Sequence, residues 1–382
     1  MALESRTTVS RAAARKGGGA SRRGDLWWAL LFLAPSLIGI LIFVVGPILM
    51  SVVISLTDWR LASRLSIETL RDSWVGFENY VSLISWREAV WSPVRNLAWR
   101  LPALLVSVGG LVLLMHRRAL SRVWGVGLTV LALVLFGYFA GLAIDWNDRR
   151  FWQSMGNTLY FVGVSVPLTI AISMLLASAL NRPLSGIAFY RAAYFMPVIS
   201  GAVVVALVWR WMFNPTIGPI NQFLSWIGVT GPGWLTSREW AMPAIIITDV
   251  WSNIGFFMII FLAGLQGIPH HLYEAADLDG AGRWQKFWSV TVPMLSATTF
   301  LNVILALIGA FQVFTLPFIM TDGGPAGATR TLVLYMYERA FDTPFRIGYG
   351  SAIAWILFII IFAITAVQWW IRRTWVVHEE GA

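Results

Sequence analysis

Long apolar runs constrain this chain more than any other feature. Eight of them recur along its 382 residues, each long enough, at about 20 residues or more, for a helix to cross the hydrocarbon layer of a bilayer. Hydrophobic residues make up 58% of the sequence and charged ones 12%. An ordinary soluble domain carries charge on about a quarter of its residues, so this chain has too little charge to cover a water-facing surface. In lipid the backbone must satisfy its own hydrogen bonds, which leaves helices or closed barrels. The runs are continuous rather than alternating, which predicts helices. The expected fold is an all-α polytopic membrane protein with eight transmembrane helices.

The order of the runs suggests an organisation. Residues 1–25 are rich in Arg, Gly, Ala and Ser without apolar period, which reads as a disordered tail. Arg22 and Arg23 close that basic stretch just before the first run, 26–56, and the positive-inside rule then places the N-terminus in the cytoplasm. Pro35 and Pro47 should kink this first span. An outer segment, 57–96, follows. Two runs within 97–144 read as an accessory hairpin, turned by the basic stretch from His116 to Arg122. Five more, at about 156–180, 192–211, 243–267, 290–318 and 349–371, fall in a core segment, 150–373. Arg372 and Arg373 end the last of them, so the tail 374–382 is also expected in the cytoplasm.

Several chemistries are excluded. Cysteine is absent, which removes disulfides, iron–sulfur clusters and cysteine-bound zinc. The four histidines, His116, His270, His271 and His378, are not spaced with carboxylates as a metal site would be. No phosphate-cradling G-x-x-x-x-G-K-[ST] occurs. The net charge of +9 reads as membrane topology and attraction to anionic lipid rather than to nucleic acid. No metal-ligating residues are expected from these counts and spacings.

One polar stretch, 268–295, looks built to be touched. Pro269 suits a first helical position. Leu272, Ala275, Ala276 and Leu278 form an apolar stripe, with Glu274, Asp277 and Asp279 facing away. Gly280 and Gly282 should stop the helix, since glycine reaches left-handed angles freely. A short second helix follows, carrying Arg283 and Lys286 beside Trp284, Phe287 and Trp288. An amphipathic helix lying on the membrane surface is the plainer reading of such a stretch.

Glu274-Ala275-Ala276, Asp279-Gly280-Ala281, Phe287 and Val292-Pro293 resemble the EAA loop of ABC importer membrane subunits, the binding-protein-dependent transport system inner-membrane components. Asn157-Thr158-Leu159, Trp251, Ala263-Gly264-Leu265-Gln266-Gly267 and Thr321-Asp322-Gly323-Gly324-Pro325 resemble the carbohydrate permeases of that family, those for maltose, lactose, trehalose and glycerol-3-phosphate. The resemblance implies a type I ABC importer permease core with an extra helical hairpin, in a bacterial or archaeal cytoplasmic membrane. It implies that Glu274, Ala275, Ala276, Asp279, Gly280 and Arg283 couple the chain to a separate ATPase. The partners implied are two ATP-binding cassette subunits, a second permease subunit and an extracytoplasmic sugar-binding protein. ATP and magnesium would be bound by the ATPase partners, with no cofactor in this chain.

Polar side chains inside membrane spans are costly and usually face the bundle interior. Asp249 and Asn253 share one helix face at i, i+4, with Phe256 following. Asn302, Phe311 and Gln312 occupy the next span. Amide and carboxylate groups that bond hydroxyls, beside aromatic faces, suit a carbohydrate. Each polar residue could instead bond a neighbouring helix. By resemblance to the maltose-type subunit, sugar contacts fall on Asp249, Asn253, Phe256, Ala310 and Val313. The last two are apolar here, so the pocket should differ. A proton-coupled secondary transporter is the alternative, with Asp249 as its acid. A membrane enzyme acting on lipid-linked sugars, through Asp145 and Asp148, is a third reading.

Overall fold

A computed structural model describes residues 20–60, 66–85, 148–182, 185–342 and 344–375. The expected hairpin 97–144 lies outside the described residues, as do the tail 376–382 and most of the tail 1–25. The described part is helical. No strand forms among these residues, only two isolated bridges, Thr57 with Trp74 and Arg60 with Arg346.

The first apolar run forms α1 (Ala20–Ile40) and α2 (Gly46–Ser55), joined by a wider π-helical turn, Leu41–Val45. Pro47 explains the joint. A proline inside a helix removes one donor and crowds the carbonyl four residues back, and a π-turn absorbs that mismatch. The Gly46 N–H accordingly bonds the Leu41 carbonyl, five residues behind it. The same device recurs later, where the π-turn Phe287–Thr291 precedes Pro293 and the Val292 N–H bonds the Phe287 carbonyl. Two short helices, α3 (Ile67–Asp72) and α4 (Glu78–Ile84), then fold against the end of α2. Asn79 fastens them by donating to the Ser55 and Thr57 carbonyls, both at 2.9 Å.

The centre of the bundle is α5 (Arg149–Leu180). Its 32 residues span about 48 Å at 1.5 Å each. Asp148 caps its start by accepting from the Phe151 N–H, which carries the helix seven residues further back than the apolar run alone predicts. The next run breaks at Ser200–Gly201, both in extended conformation, into α6 (Ile187–Ile199) and α7 (Ala202–Met212). These two meet at 99°. The outer stretch holds α8 (Pro219–Trp226), and α9 (Ala241–Gln266) then runs along α5. Gly255 of α9 permits a close crossing with α6, because a Cβ there would collide with the Tyr194 carbonyl.

The loop of interest contains α10 (His270–Leu278) and α11 (Arg283–Lys286), and a single turn, α12 (Val292–Met294), leads into α13 (Ser296–Phe311). The run expected to continue to residue 318 instead stops at Phe311, and α14 (Thr315–Thr321) follows as a separate helix. The Val313 carbonyl freed by that break accepts from the Thr331 hydroxyl at 3.0 Å. Last come α15 (Leu332–Phe341) and α16 (Ile347–Trp375). Among the described residues, four helices are long and apolar enough to cross a membrane, and up to six if each of the two bent pairs is one span. The core is apolar and continuous, with Phe161, Ala177, Ile245, Met258 and Phe261 fully enclosed.

Candidate functional site

Halfway along α5 the packing opens into a cavity of about 330 Å³, near the lower end of the small-molecule range. Three helices line it. Ser165, Val166 and Thr169 come from α5, Asp249, Asn253, Phe256 and Phe257 from α9, and Leu305, Ala306, Gly309 and Ala310 from α13. Asp249 and Asn253 lie one turn apart, and the Asn253 amide donates to the Asp249 carboxylate at 3.0 Å. It also donates to the Asp249 carbonyl at 2.9 Å, so the pair is held rigid by its own helix. Phe256 meets Phe257 edge to face, with ring centroids 5.2 Å apart. The cavity thus presents a carboxylate, an amide, two hydroxyls and aromatic rings at mid-depth.

The six residues singled out from the sequence for a substrate divide here. Asp249, Asn253 and Phe256 line the cavity together. Asn302 does not; it is fully enclosed one turn away, and its amide reaches the Phe257 carbonyl at 3.4 Å. Phe311 is packed in the core and Gln312 caps the end of α13 in an exposed position. Of the two apolar positions suggested by resemblance, Ala310 lines the cavity and Val313 does not. Ser165 and Thr169 were not singled out, although their i, i+4 spacing within an apolar run is the signal that marked Asp249 and Asn253. Arg210 donates to the Ile319 carbonyl at 3.1 Å.

Below this cavity α5 ends beside the loop 268–295. Pro269 precedes α10 in an extended conformation, and Gly280 ends it with φ +71°. The Ala281 N–H reaches back to the Ala276 carbonyl at 2.9 Å and the Gly280 N–H to that of Asp277 at 3.0 Å, the double bond that closes a helix through a left-handed glycine. Gly282 is not left-handed; it begins α11, and its N–H is received by the Gln285 side chain. The Tyr273 hydroxyl meets that of Thr291 at 3.0 Å, and Lys286 bonds Asp277 at 2.5 Å. The predicted apolar stripe does not turn wholly inward. Leu278 is 91% exposed and Trp284 67%, while Glu274, Ala275, Asp279, Gly280 and Arg283 are all exposed. An exposed apolar patch rimmed by charge marks a place for a partner.

The opposite end of α5 is bound tightly. Asn157 donates to the Gly327 and Arg330 carbonyls at 2.7 and 2.9 Å, and the Thr158 hydroxyl receives the Leu332 N–H at 2.8 Å. Two sequence motifs 170 residues apart therefore form one structure. Beside them the Asp148 carboxylate accepts from Tyr335 at 2.5 Å and from Tyr349, and Arg339 donates to the Tyr335 oxygen at 2.7 Å. Burial, reinforced by the Asp148 carboxylate, pushes the Tyr335 hydroxyl above its ordinary range, so it remains a donor. Asp148 is thereby occupied as cap and acceptor. Among the described residues no three His, Asp or Glu side chains converge as a metal site.

Residues 133–375 match the family described as binding-protein-dependent transport system inner membrane component. The chain is 37% identical over 238 residues to the probable ABC transporter permease protein YesP of Bacillus subtilis, covering 61% of this chain and 76% of that one. It is 34% identical over 274 residues to the lactose transport system permease protein LacF of Rhizobium radiobacter, covering 70% and 90%. It is 37% identical over 223 residues to the trehalose/maltose transport system permease protein MalF of Thermococcus litoralis, covering 58% and 74%. Among solved structures, a chain of a bacterial ABC transporter involved in import of the acidic polysaccharide alginate superposes with a TM-score of 0.65, over 92% of this chain and 96% of that one, at 21% identity. That likeness is one of fold.

Proposed function

The chain belongs to the family of binding-protein-dependent transport system inner membrane components, and from that membership we propose that it forms half of the pathway of an ATP-driven carbohydrate importer. A second permease subunit supplies the other half, two ATPase subunits sit beneath the loop 268–295, and an extracytoplasmic sugar-binding protein delivers at the Asn157–Gly327 end. Both termini then face the cytoplasm. The observation that supports this best is the exposed surface of the loop, with Leu278 91% and Trp284 67% in contact with solvent. An apolar surface of that kind on a polar loop calls for a protein cleft.

In this reading Glu274, Ala275, Ala276, Asp279, Gly280 and Arg283 form the contact with the ATPase, and ATP and magnesium are held there and not in this chain. ATP binding draws the two ATPases together, α10 moves with its cleft, and α5, α9 and α13 rock to open the cavity outward. Asp249 and Asn253 bond sugar hydroxyls, and Phe256 offers a ring face. Binding at mid-depth is what alternating access requires, since both gates must reach one site.

Reconstitution of the whole importer in liposomes tests the proposal, with a labelled panel of disaccharide, oligosaccharide, monosaccharide and glycerol-3-phosphate. Uptake should require ATP on the loop side and persist when a protonophore collapses the pH gradient. Asp249→Ala and Asn253→Ala should each lower uptake about tenfold, the loss of one good polar contact, while the ATPase stays bound. Uptake that ignores ATP and stops with the protonophore would instead identify a proton-coupled carrier.

A further inference from the structure

A second cavity, of about 380 Å³, opens where α5 and α9 end above the loop. Arg182, Arg283 and Lys286 all line it, and no acidic side chain does. Arg182 stands just beyond α5, whereas Arg283 and Lys286 belong to α11. Lys286 pairs with Asp277 at 2.5 Å. Arg182 and Arg283 form no ion pair among the described residues. Three cations therefore line one small space, and of them Lys286 alone has a carboxylate partner, Asp277, which lies outside the lining. A cleft lined by one sign of charge concentrates the opposite ion.

The neutral part of the lining narrows the choice of anion. Asn181 and Tyr273 bring polar groups, while Leu265 and Phe287 form an apolar wall. Leu265 lies in the last turn of α9 and Ser178 in the last turn of α5. The cavity is thus at the level where apolar spans finish and lipid headgroups begin. A phosphate has oxygens on several sides and can accept from donors that converge from two elements, and arginine forks match it geometrically.

We propose that this cavity is a phosphate-binding site, the headgroup of an anionic phospholipid being the source that its depth favours. The phosphate bridges Arg182 at the end of α5 to Arg283 and Lys286 on α11, with the first methylenes of the acyl chains against Leu265 and Phe287. It braces the loop against the helix that carries the mid-depth cavity. The proposal goes beyond carbohydrate transport and does not depend on it.

Native mass spectrometry of the purified full chain, titrated with phosphatidylglycerol or phosphatidylcholine, tests it without any ATPase or sugar. The unmodified chain should hold phosphatidylglycerol in preference to phosphatidylcholine. Arg182→Gln should bind it about fivefold more weakly, the effect of one basic residue at an anionic surface, and Arg182→Lys should restore most of the loss. Arg210→Gln, far from the cavity, should change nothing. Displacement of the lipid by excess inorganic phosphate would support the site with free phosphate as its natural source. No displacement would support it with lipid as the source. Thermal unfolding in phosphatidylcholine alone reports whether each variant is folded, and Lys286→Gln gives an independent reading should Arg182→Gln misfold. Equal binding of both lipids by the unmodified chain, or equal phosphatidylglycerol binding by the folded variants, would overturn the proposal.

Discussion

The two ends of α5 are built on opposite plans. At its start, hydrogen bonds close on residues of the same chain: Asp148 with Tyr335 and Tyr349, Asn157 with two carbonyls of the 327–330 turn, Thr158 with Leu332. At its finish, Leu278 and Trp284 face solvent, and Arg182 and Arg283 have no ion pair among the described residues. One end is completed by the chain itself, and the other leaves apolar and basic side chains open. In the proposed importer this asymmetry would make a lever, with a rigid cap to hold the helices in register and a surface through which the ATPase could move them.

The contrast can be broken from the rigid end first. Gly348→Val drives a side chain into the Thr57 carbonyl, a backbone atom that cannot rotate away. We expect a loss of about 3 kcal/mol, read as a lower unfolding midpoint in detergent. Asp148→Ala leaves two tyrosine hydroxyls and the Arg339 guanidinium short of an acceptor; about 2 kcal/mol should go by the same measurement, with less lost in Asp148→Asn.

At the other end the expected effects move from folding to association. Leu278→Ala should weaken ATPase binding by about 2 kcal/mol, roughly 30-fold, as for a residue central to an interface. Its unfolding midpoint should hardly move, because an exposed side chain contributes within about 0.5 kcal/mol. Gly280→Ala is the mildest. The space around Gly280 is open, so only the left-handed backbone opposes the methyl group, at about 1 kcal/mol, read by thermal unfolding. A Leu278→Ala chain that lost stability but kept its ATPase would erase the distinction between the ends.

Much of this was legible in the sequence because run length and polarity survive folding. The helices Arg149–Leu180, Ala241–Gln266 and Ile347–Trp375 stand near three of the expected runs, and the Asp249–Asn253 pair shares a face as its spacing requires. Gly280 takes the left-handed angle expected of it. What failed did so for local reasons. Hydropathy averages over a break of two or three residues, so Ser200–Gly201 and Gln312–Phe314 read as continuous helix in the sequence. Once α13 ends at Phe311, helical periodicity no longer carries Gln312 toward the cavity. Ser165 and Thr169 were overlooked because hydroxyls blend into apolar runs. For Leu278, periodicity reveals an apolar stripe but not whether the chain or a partner covers it.

The most direct test of the account is co-purification from native membranes in mild detergent, comparing the unmodified chain with Glu274→Arg and Gly280→Pro. The account predicts that an ATPase subunit and a second permease come down with the unmodified chain. Both variants should lose the ATPase while keeping the permease, since the changes lie on the exposed loop. An unmodified chain that brings down no ATPase, or variants that retain it fully, would contradict the assignment of the loop 268–295 as the coupling surface.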